Sequence, residues 1–126
     1  MTNLKTDVLI IGSGLAGASA AISASENGKN VTIITKTKSL KSGNTPYAQG
    51  GIAYKGLNDS PEKLKEDIIK AGHNDSWDLA VDKLCNDGPE LVKKILIDKL
   101  QIKFTQNKNK TSYDLTSEAA HSEKRI

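Results

Sequence analysis

The 126-residue sequence has one cysteine, Cys85, and few aromatic residues: one tryptophan, three tyrosines and one phenylalanine. A lone cysteine excludes an internal disulfide and any multi-cysteine metal centre, so neither a disulfide scaffold nor a metal site is read. Cys85 lies among Leu79, Ala80, Val81 and Leu84 at helical spacing, which marks it as a small buried apolar residue rather than a reactive thiol. With so few rings, the core must come from aliphatic side chains. No apolar run approaches the roughly 18 residues that cross a bilayer. Asp7 interrupts the only early apolar stretch, so no secretory signal is read and the cytoplasm is the expected location. Charge of one sign is scarce too: 18 basic residues face 15 acidic ones, mixed along the chain, for a net charge of +3. Such a mixture gives no footprint for nucleic acid or a membrane surface.

Against these absences stands a short stretch of strong pattern. Val8 to Ile11 is a continuous β-branched and aliphatic run, as expected of a parallel strand covered on both faces. Glycine ends it. Leu15 to Asn27 is rich in Ala, Ser, Ile and Leu, small enough for a helix to lie close to a sheet, and Gly28 supplies a left-handed stop. Val31 to Thr35 repeats the strand pattern. Strand, helix and strand within about thirty residues make a βαβ crossover.

From Thr35 to Ala53 the chain is irregular and rich in Lys, Ser, Gly and Asn, a loop long enough to suggest function. Its basic part, Lys36 to Lys41, reads either as an exposed loop or as a face turned to phosphate. Ser60, Pro61 and Glu62 place an N-cap, a first-turn proline and an early acid before Leu64, Ile68 and Ile69, and Gly72 closes that helix. A second helix is expected from Asp75 or Ser76 to Gly88. A third is expected to start with Pro89 in its first turn and run through Leu91, Val92, Ile95 and Leu96, with Lys93, Lys94 and Asp98 outward. Ile102 to Thr105 and Thr111 to Leu115 read as a hairpin around Asn107-Lys108-Asn109-Lys110. Thr116 to Ile126 reads as a polar tail, and His73 is given no role.

Gly12, Gly14 and Gly17 form G-x-G-x-x-G. The first permits a tight turn, the second lets backbone approach a pyrophosphate, and the third admits close helix packing. Helix amides and the helix dipole would then face the anion. The motif follows a strand and opens a helix, which favours nucleotide binding over a bare strand-to-helix turn. Units that bind NAD place an acid at the end of the second strand, where this chain has Thr35-Lys36. A lysine cannot accept a hydrogen bond from a ribose hydroxyl, so NAD(H) is disfavoured and flavin remains open.

At Ser42-Gly43-Asn44-Thr45-Pro46-Tyr47-Ala48-Gln49-Gly50-Gly51-Ile52-Ala53 the sequence resembles the L-aspartate oxidases of the succinate dehydrogenase and fumarate reductase flavoprotein superfamily. That superfamily has a glycine-motif βαβ unit followed by Thr-x-x-Ala-Gln-Gly-Gly-Ile. The tail Leu115-Thr116-Ser117-Glu118-Ala119-Ala120-His121-Ser122-Glu123-Lys124-Arg125-Ile126 resembles the oxidase segment Leu-Thr-Arg-Glu-Gly-Gly-His-Ser-x-x-Arg-Ile. The likeness runs from Asp7 to Ile126. It departs at Ser117, where the oxidase segment has Arg, and at Ala119 and Ala120, whose methyl groups stand on backbone expected to lie against substrate.

The resemblance implies an α/β fold: an FAD-binding Rossmann-like βαβ unit over 6–36, a flavin loop over 37–56, helices over 60–100 and a short β-hairpin over 102–115, together an incomplete domain. FAD is the implied cofactor. Gly12, Ser13, Gly14, Leu15, Ala16 and Gly17 would hold its pyrophosphate, Lys36 would lie by the adenosine half, and Asn44, Thr45, Pro46, Tyr47, Ala48, Gln49, Gly50 and Gly51 would run along the flavin. Related complexes attach FAD covalently to a histidine at the position of Asn44, so non-covalent FAD is expected here. Glu118 would read the substrate amino group and His121 would lie near flavin or substrate. The implied reaction oxidises L-aspartate to iminoaspartate, with oxygen or fumarate as acceptor, for hand-over to quinolinate synthase and NAD biosynthesis. A fragment of this length is expected to be inactive alone. The alternatives are a fragment of a soluble fumarate reductase, or a small standalone nucleotide-binding module.

Overall fold

A computed structural model describes residues 3–48 and 51–125. The chain divides into two units, Met1–Gln49 and Gly50–Ile126. In the first, strand β1 (Val8–Ile11) and strand β2 (Val31–Ile34) flank helix α1 (Leu15–Glu26). The strands pair in parallel, with Val8 opposite Val31 and Ile11 opposite Ile34. Asp7 fixes the entry: its carboxylate accepts from Asn30 N–H at 2.8 Å, while its own N–H donates to Asn30 O at 2.9 Å.

Helix α1 ends as the glycine at position 28 requires. Gly28 takes φ +71°, its N–H donates to Ser25 O, and Lys29 N–H donates to Ala24 O, a Schellman closure. Gly17, on α1, lies against Ile10, so α1 covers the face of β1 that carries Ile10. By strand alternation Leu9 and Ile11 face the other way, and both are exposed. The expectation of strands covered on both faces is therefore corrected: in this unit one helix packs on a two-stranded sheet, and one face stays bare.

The second unit contains helix α2 (Pro61–Ala71) and helix α3 (Asp78–Leu91), which continues into π-helical turns over Val92–Lys99. Ser60 caps α2, its hydroxyl accepting from Lys63 N–H at 3.3 Å, with Pro61 in the first turn. Gly72 closes α2 at φ −81°; the left-handed conformation falls on His73 and Asn74, at +53° and +61°. A Cβ at position 72 would crowd the Ser76 hydroxyl at 2.6 Å, which would have to rotate away. Leu64, Val81 and Cys85 form the core between the helices, with Ile68 packed against them. Burial raises the pKa of the Cys85 thiol, in keeping with an apolar packing role.

Two expectations are corrected. Pro89 does not start a new helix; α3 runs through Gly88-Pro89 without a break. Gly88 has no Cβ to collide with the proline ring, which removes the usual obstacle to helical backbone before proline. Proline still withdraws one donor from the ladder, and wide turns follow it from Val92, a common way for a helix to absorb such a defect. The Lys93–Asp98 ion pair, 2.7 Å across five residues, fits that wider turn.

The hairpin expected from Ile102 to Leu115 is reduced to one antiparallel bridge, Gln106 to Tyr113. Backbone bonds from Asn107 N–H to Ser112 O and from Asp114 N–H to Thr105 O flank this bridge, and the Asn107 side chain closes the turn by accepting from Thr111 N–H at 3.0 Å and donating to Ser112 Oγ at 2.8 Å. Around it Tyr113 meets Tyr54 and Phe104 edge to face, with ring centroids 6.0 and 6.1 Å apart.

The polar tail hides the most buried large side chain among the described residues, Arg125, with no solvent exposure. Its Nε and Nη2 donate to Asp59 at 2.6 and 2.8 Å, and its Nη1 donates to Asp67. Burial alone would raise the pKa of Asp67. The Ser122 N–H, the guanidinium and the Ser122 hydroxyl outweigh it and hold the carboxyl at about 2. A carboxyl so depressed stabilises the fold above its ordinary value near 3.8 and loses that contribution as pH falls through about 2. The contribution is about 2 kcal/mol at neutral pH. Circular dichroism between pH 5 and 1.5 should show the helical signal falling in this window, and Asp67→Asn should flatten that part of the curve while lowering stability at pH 7.

Candidate functional site

Strand β1 delivers the chain to Gly12, whose N–H donates to Ile34 O at 2.8 Å and whose φ of +112° turns the backbone away from the sheet. Gly14 is the N-cap of α1, with extended backbone and no side-chain cap, and the first turn carries no acidic residue. The helix therefore starts with no acidic side chain of its own first turn to neutralise its positive dipole end. At Gly17 a Cβ would fall inside the van der Waals envelope of Gly12 O, so only glycine allows α1 to start this close to the turn. Ser13 and Leu15 are held on either side. Ser13 Oγ donates to Leu40 O at 2.8 Å, and Leu15 N–H donates to Thr45 Oγ1 at 3.1 Å.

That last bond joins two stretches thirty residues apart in sequence. Thr45–Tyr47 forms a 3-10 turn with Pro46 near its start, and Asn44 caps it, its carbonyl accepting from Tyr47 N–H at 2.9 Å. Thr45 Oγ1 would also lie 3.3 Å from a Cβ at Gly14. The structure thus places Gly12, Ser13, Gly14, Leu15, Ala16 and Gly17 beside Thr45 and Pro46. Tyr47 and Ala48 follow, both exposed. Lys36 lies two residues past β2, also exposed, with Lys38 and Lys41 beyond it. Gln49 and Gly50 lie outside the described residues.

In the second unit, Gly51 lines a cavity of about 630 Å³ with Ile52, Tyr54, Phe104, Tyr113, Leu115, Glu118 and Arg125. Asp114, Lys124, Thr105 and Thr116 add polar and charged groups to this apolar and aromatic wall, and Glu118 makes no ion pair among the described residues. Burial, with Glu90 nearby, raises the pKa of Tyr54, which keeps that phenol protonated as a donor. His121 N–H donates to Glu118 O at 3.0 Å, so the two candidate substrate residues share one turn. His121 is half-buried, and its Nδ1 is enclosed without a hydrogen-bond partner among the described residues. Asp59, Asp67 and Arg125, which organise this region, escaped the sequence reading. One signal was present: Asp67 falls between Leu64 and Ile68 on the apolar face of α2, where an acid needs a partner.

A strand, a glycine turn and a helix start with no acid in its first turn are the parts of a dinucleotide-binding βαβ unit, with Gly17 letting α1 pack against the turn. Comparison with known proteins narrows the class. The FAD binding domain family matches residues 7–126. The chain belongs to that family, and its cofactor is FAD. It is similar to the L-aspartate oxidase of Halobacterium salinarum, 41% identical over 121 residues that cover 96% of this chain and 23% of the relative. It is also similar to a fumarate reductase (cytochrome) of Shewanella frigidimarina, 42% identical over 76 residues that cover 54% of this chain and 13% of the relative. A solved structure of the Mycobacterium smegmatis Sdh1 complex in the apo form superposes with a TM-score of 0.84 at 25% identity, over 96% of this chain and 20% of that one. The chain thus spans about a quarter or less of these relatives. No helix among the described residues is long and apolar enough to cross a membrane.

Gly17→Ala tests the cradle. The added methyl must push α1 away from Gly12 O, so FAD retained through purification should fall by about tenfold or more, with about 1–3 kcal/mol of stability lost. Flavin absorbance per protein and a thermal melt measure both.

Proposed function

We propose that this chain supplies the pyrophosphate grip and part of the substrate pocket of an FAD-dependent L-aspartate oxidase. The reaction is oxidation of L-aspartate to iminoaspartate, with oxygen or fumarate taking the electrons. When bound, FAD supplies the two-electron acceptor for the substrate hydride. The chain's own residues bind and orient. Gly12 to Gly17 and the start of α1 receive the pyrophosphate, Lys36 lies toward the adenosine half, and Asn44 to Gly51 follow the flavin. Because Asn44 carries an amide where related complexes use a histidine, the cofactor is held non-covalently.

The observation that carries the substrate reading is Glu118 in the lining of a cavity walled by Tyr54, Phe104, Tyr113 and Leu115, exposed and in no ion pair among the described residues although Lys124 and Arg125 line the same cavity. A carboxylate so placed can accept a charge-assisted hydrogen bond from an ammonium group. That group separates aspartate from succinate and fumarate, and a site built to bond it rejects analogues that lack it. His121, on the same turn, lies near flavin or substrate. The product, an imine prone to hydrolysis, calls for hand-over to quinolinate synthase on the route to NAD, in the cytoplasm. The remaining flavin contacts and a capping domain would come from sequence outside this chain, so residues 1 to 126 alone should produce no peroxide from aspartate in a turnover assay; robust production would sink that expectation.

The likeness to the Shewanella fumarate reductase favours a second reading, a soluble fumarate reductase. Glu118→Gln separates the two. In the intact protein it should lower kcat/KM for L-aspartate by about 10- to 100-fold, the worth of one hydrogen bond to a charged group, and change fumarate reduction by less than about threefold. Equal loss on both substrates removes the case for amine recognition.

A further inference from the structure

The loop that carries Glu118 and His121 begins and ends at one point. Arg125 N–H donates to Thr116 O at 2.9 Å, and Arg125 O accepts from Tyr54 N–H at 2.8 Å. Between these residues there is neither helix nor strand. A stretch of that kind has many accessible conformations, and its anchors must select one. The anchors converge on two carboxylates. Ser122 N–H and Oγ–H both donate to Asp67 Oδ2, at 2.8 and 2.9 Å, and Arg125 Nη1 donates to the same oxygen. Arg125 Nε and Nη2 close a two-point bond on Asp59 at 2.6 and 2.8 Å. Gly56, just before Asp59, is buried and passes close to Lys124 O, so the backbone beside the clamp is tight as well.

We propose that Arg125 is a positioning residue: with Asp59, just before α2, and Asp67, on its second turn, it seats the 116–125 loop and so presents Glu118 and His121 in one fixed geometry. The functional consequence rests on the reading of Glu118 as the group that recognises the substrate ammonium. The seating itself concerns loop order and is tested separately.

An arginine suits this task and a lysine does not. The planar guanidinium directs three donors at two carboxylates at fixed angles, whereas an ammonium is a point charge on a flexible stem. Stability alone would not require it, since well-packed apolar residues often replace a buried ion pair without loss. A clamp that only added stability would therefore be indifferent to where the loop points.

Arg125→Lys in the intact flavoprotein should raise amide hydrogen exchange across residues 117–123 about tenfold or more, with α3 far less affected. It should raise KM for L-aspartate by about tenfold while kcat falls less than about threefold and FAD content holds. Ser122→Ala, which removes one of the bonds to Asp67 and leaves the guanidinium in place, should raise exchange in 117–123 and KM by about threefold each, with exchange in α3 changing far less. If Arg125→Lys fails to fold, Ser122→Ala decides by the same criteria. Exchange that rises equally in α3 and in 117–123, or a lower melting temperature with unchanged KM, overturns the proposal. Absence of aspartate turnover in the wild type would overturn the functional reading instead, and the exchange measurements would still decide the seating.

Discussion

A guanidinium shut away from water is tolerable only where carboxylates meet it, and the second unit is arranged around that requirement. Arg125 has no exposure, and the side chains of Asp59 and Asp67 are 4% and 11% exposed, so all three charges have left solvent together. Removing one partner of such a set costs about 3–5 kcal/mol, because the others remain buried and unmatched. The surrounding chain follows from this. Asp59 also accepts from Gly56 N–H and from Ser60 N–H, at 3.3 and 3.0 Å, which ties the clamp to the cap of α2. Asp67 reaches it from about two turns further along the helix. Burial opposes ionisation of both acids, yet both end below the ordinary carboxylate range, while the arginine is raised chiefly by Asp59. The whole set is charged at any physiological pH, and it behaves as fixed structure rather than as a switch.

The first unit is governed by a different constraint, distance between backbones. Gly17 meets Gly12 across the turn, and no larger residue fits. That contact brings the first turn of α1 up to the end of β1 and leaves its amides at the mouth of the turn. Thr45 then adds a specific partner for one of those amides, Leu15 N–H, from a loop that has little regular structure of its own. Two motifs remote in sequence become one surface through a single hydroxyl.

How much of this was legible beforehand depends on the range of the cause. The βαβ unit was readable because local rules specify it: β-branched runs, a glycine that turns, small residues in the helix and Gly28 at its end. Ser60 and Pro61 were legible for the same reason. Pro89 misled, because its steric rule assumes a preceding residue with a Cβ and Gly88 has none. The hairpin misled because strand propensity says nothing of Asn107, whose side chain organises the turn at Thr111 and Ser112 so that pairing stops at one bridge. The clamp was illegible as an arrangement, since Asp59, Asp67 and Arg125 come together only through the tertiary fold. Within the candidate site, the glycine loop and Asn44 to Ala48 stood out as motifs; that Thr45 would bond Leu15 did not.

If Glu118 reads the substrate ammonium as proposed, recognition and stability fall to different residues of one short segment, Glu118 and Arg125. A group that must bond a ligand cannot be satisfied internally, and Glu118 stands exposed in the cavity lining, in no ion pair among the described residues. A group that must hold the segment cannot be left to solvent, where an ion pair contributes about 0–1 kcal/mol and is screened by salt. Arg125 is accordingly buried and fully engaged by its two carboxylates. Seven residues separate the two roles. The intervening Ala119 and Ala120, where oxidase sequences resemble Gly-Gly, restrict the backbone more than glycine would. In a segment whose ends are clamped, less freedom in the middle narrows the positions that Glu118 can occupy, which favours one ligand geometry over several.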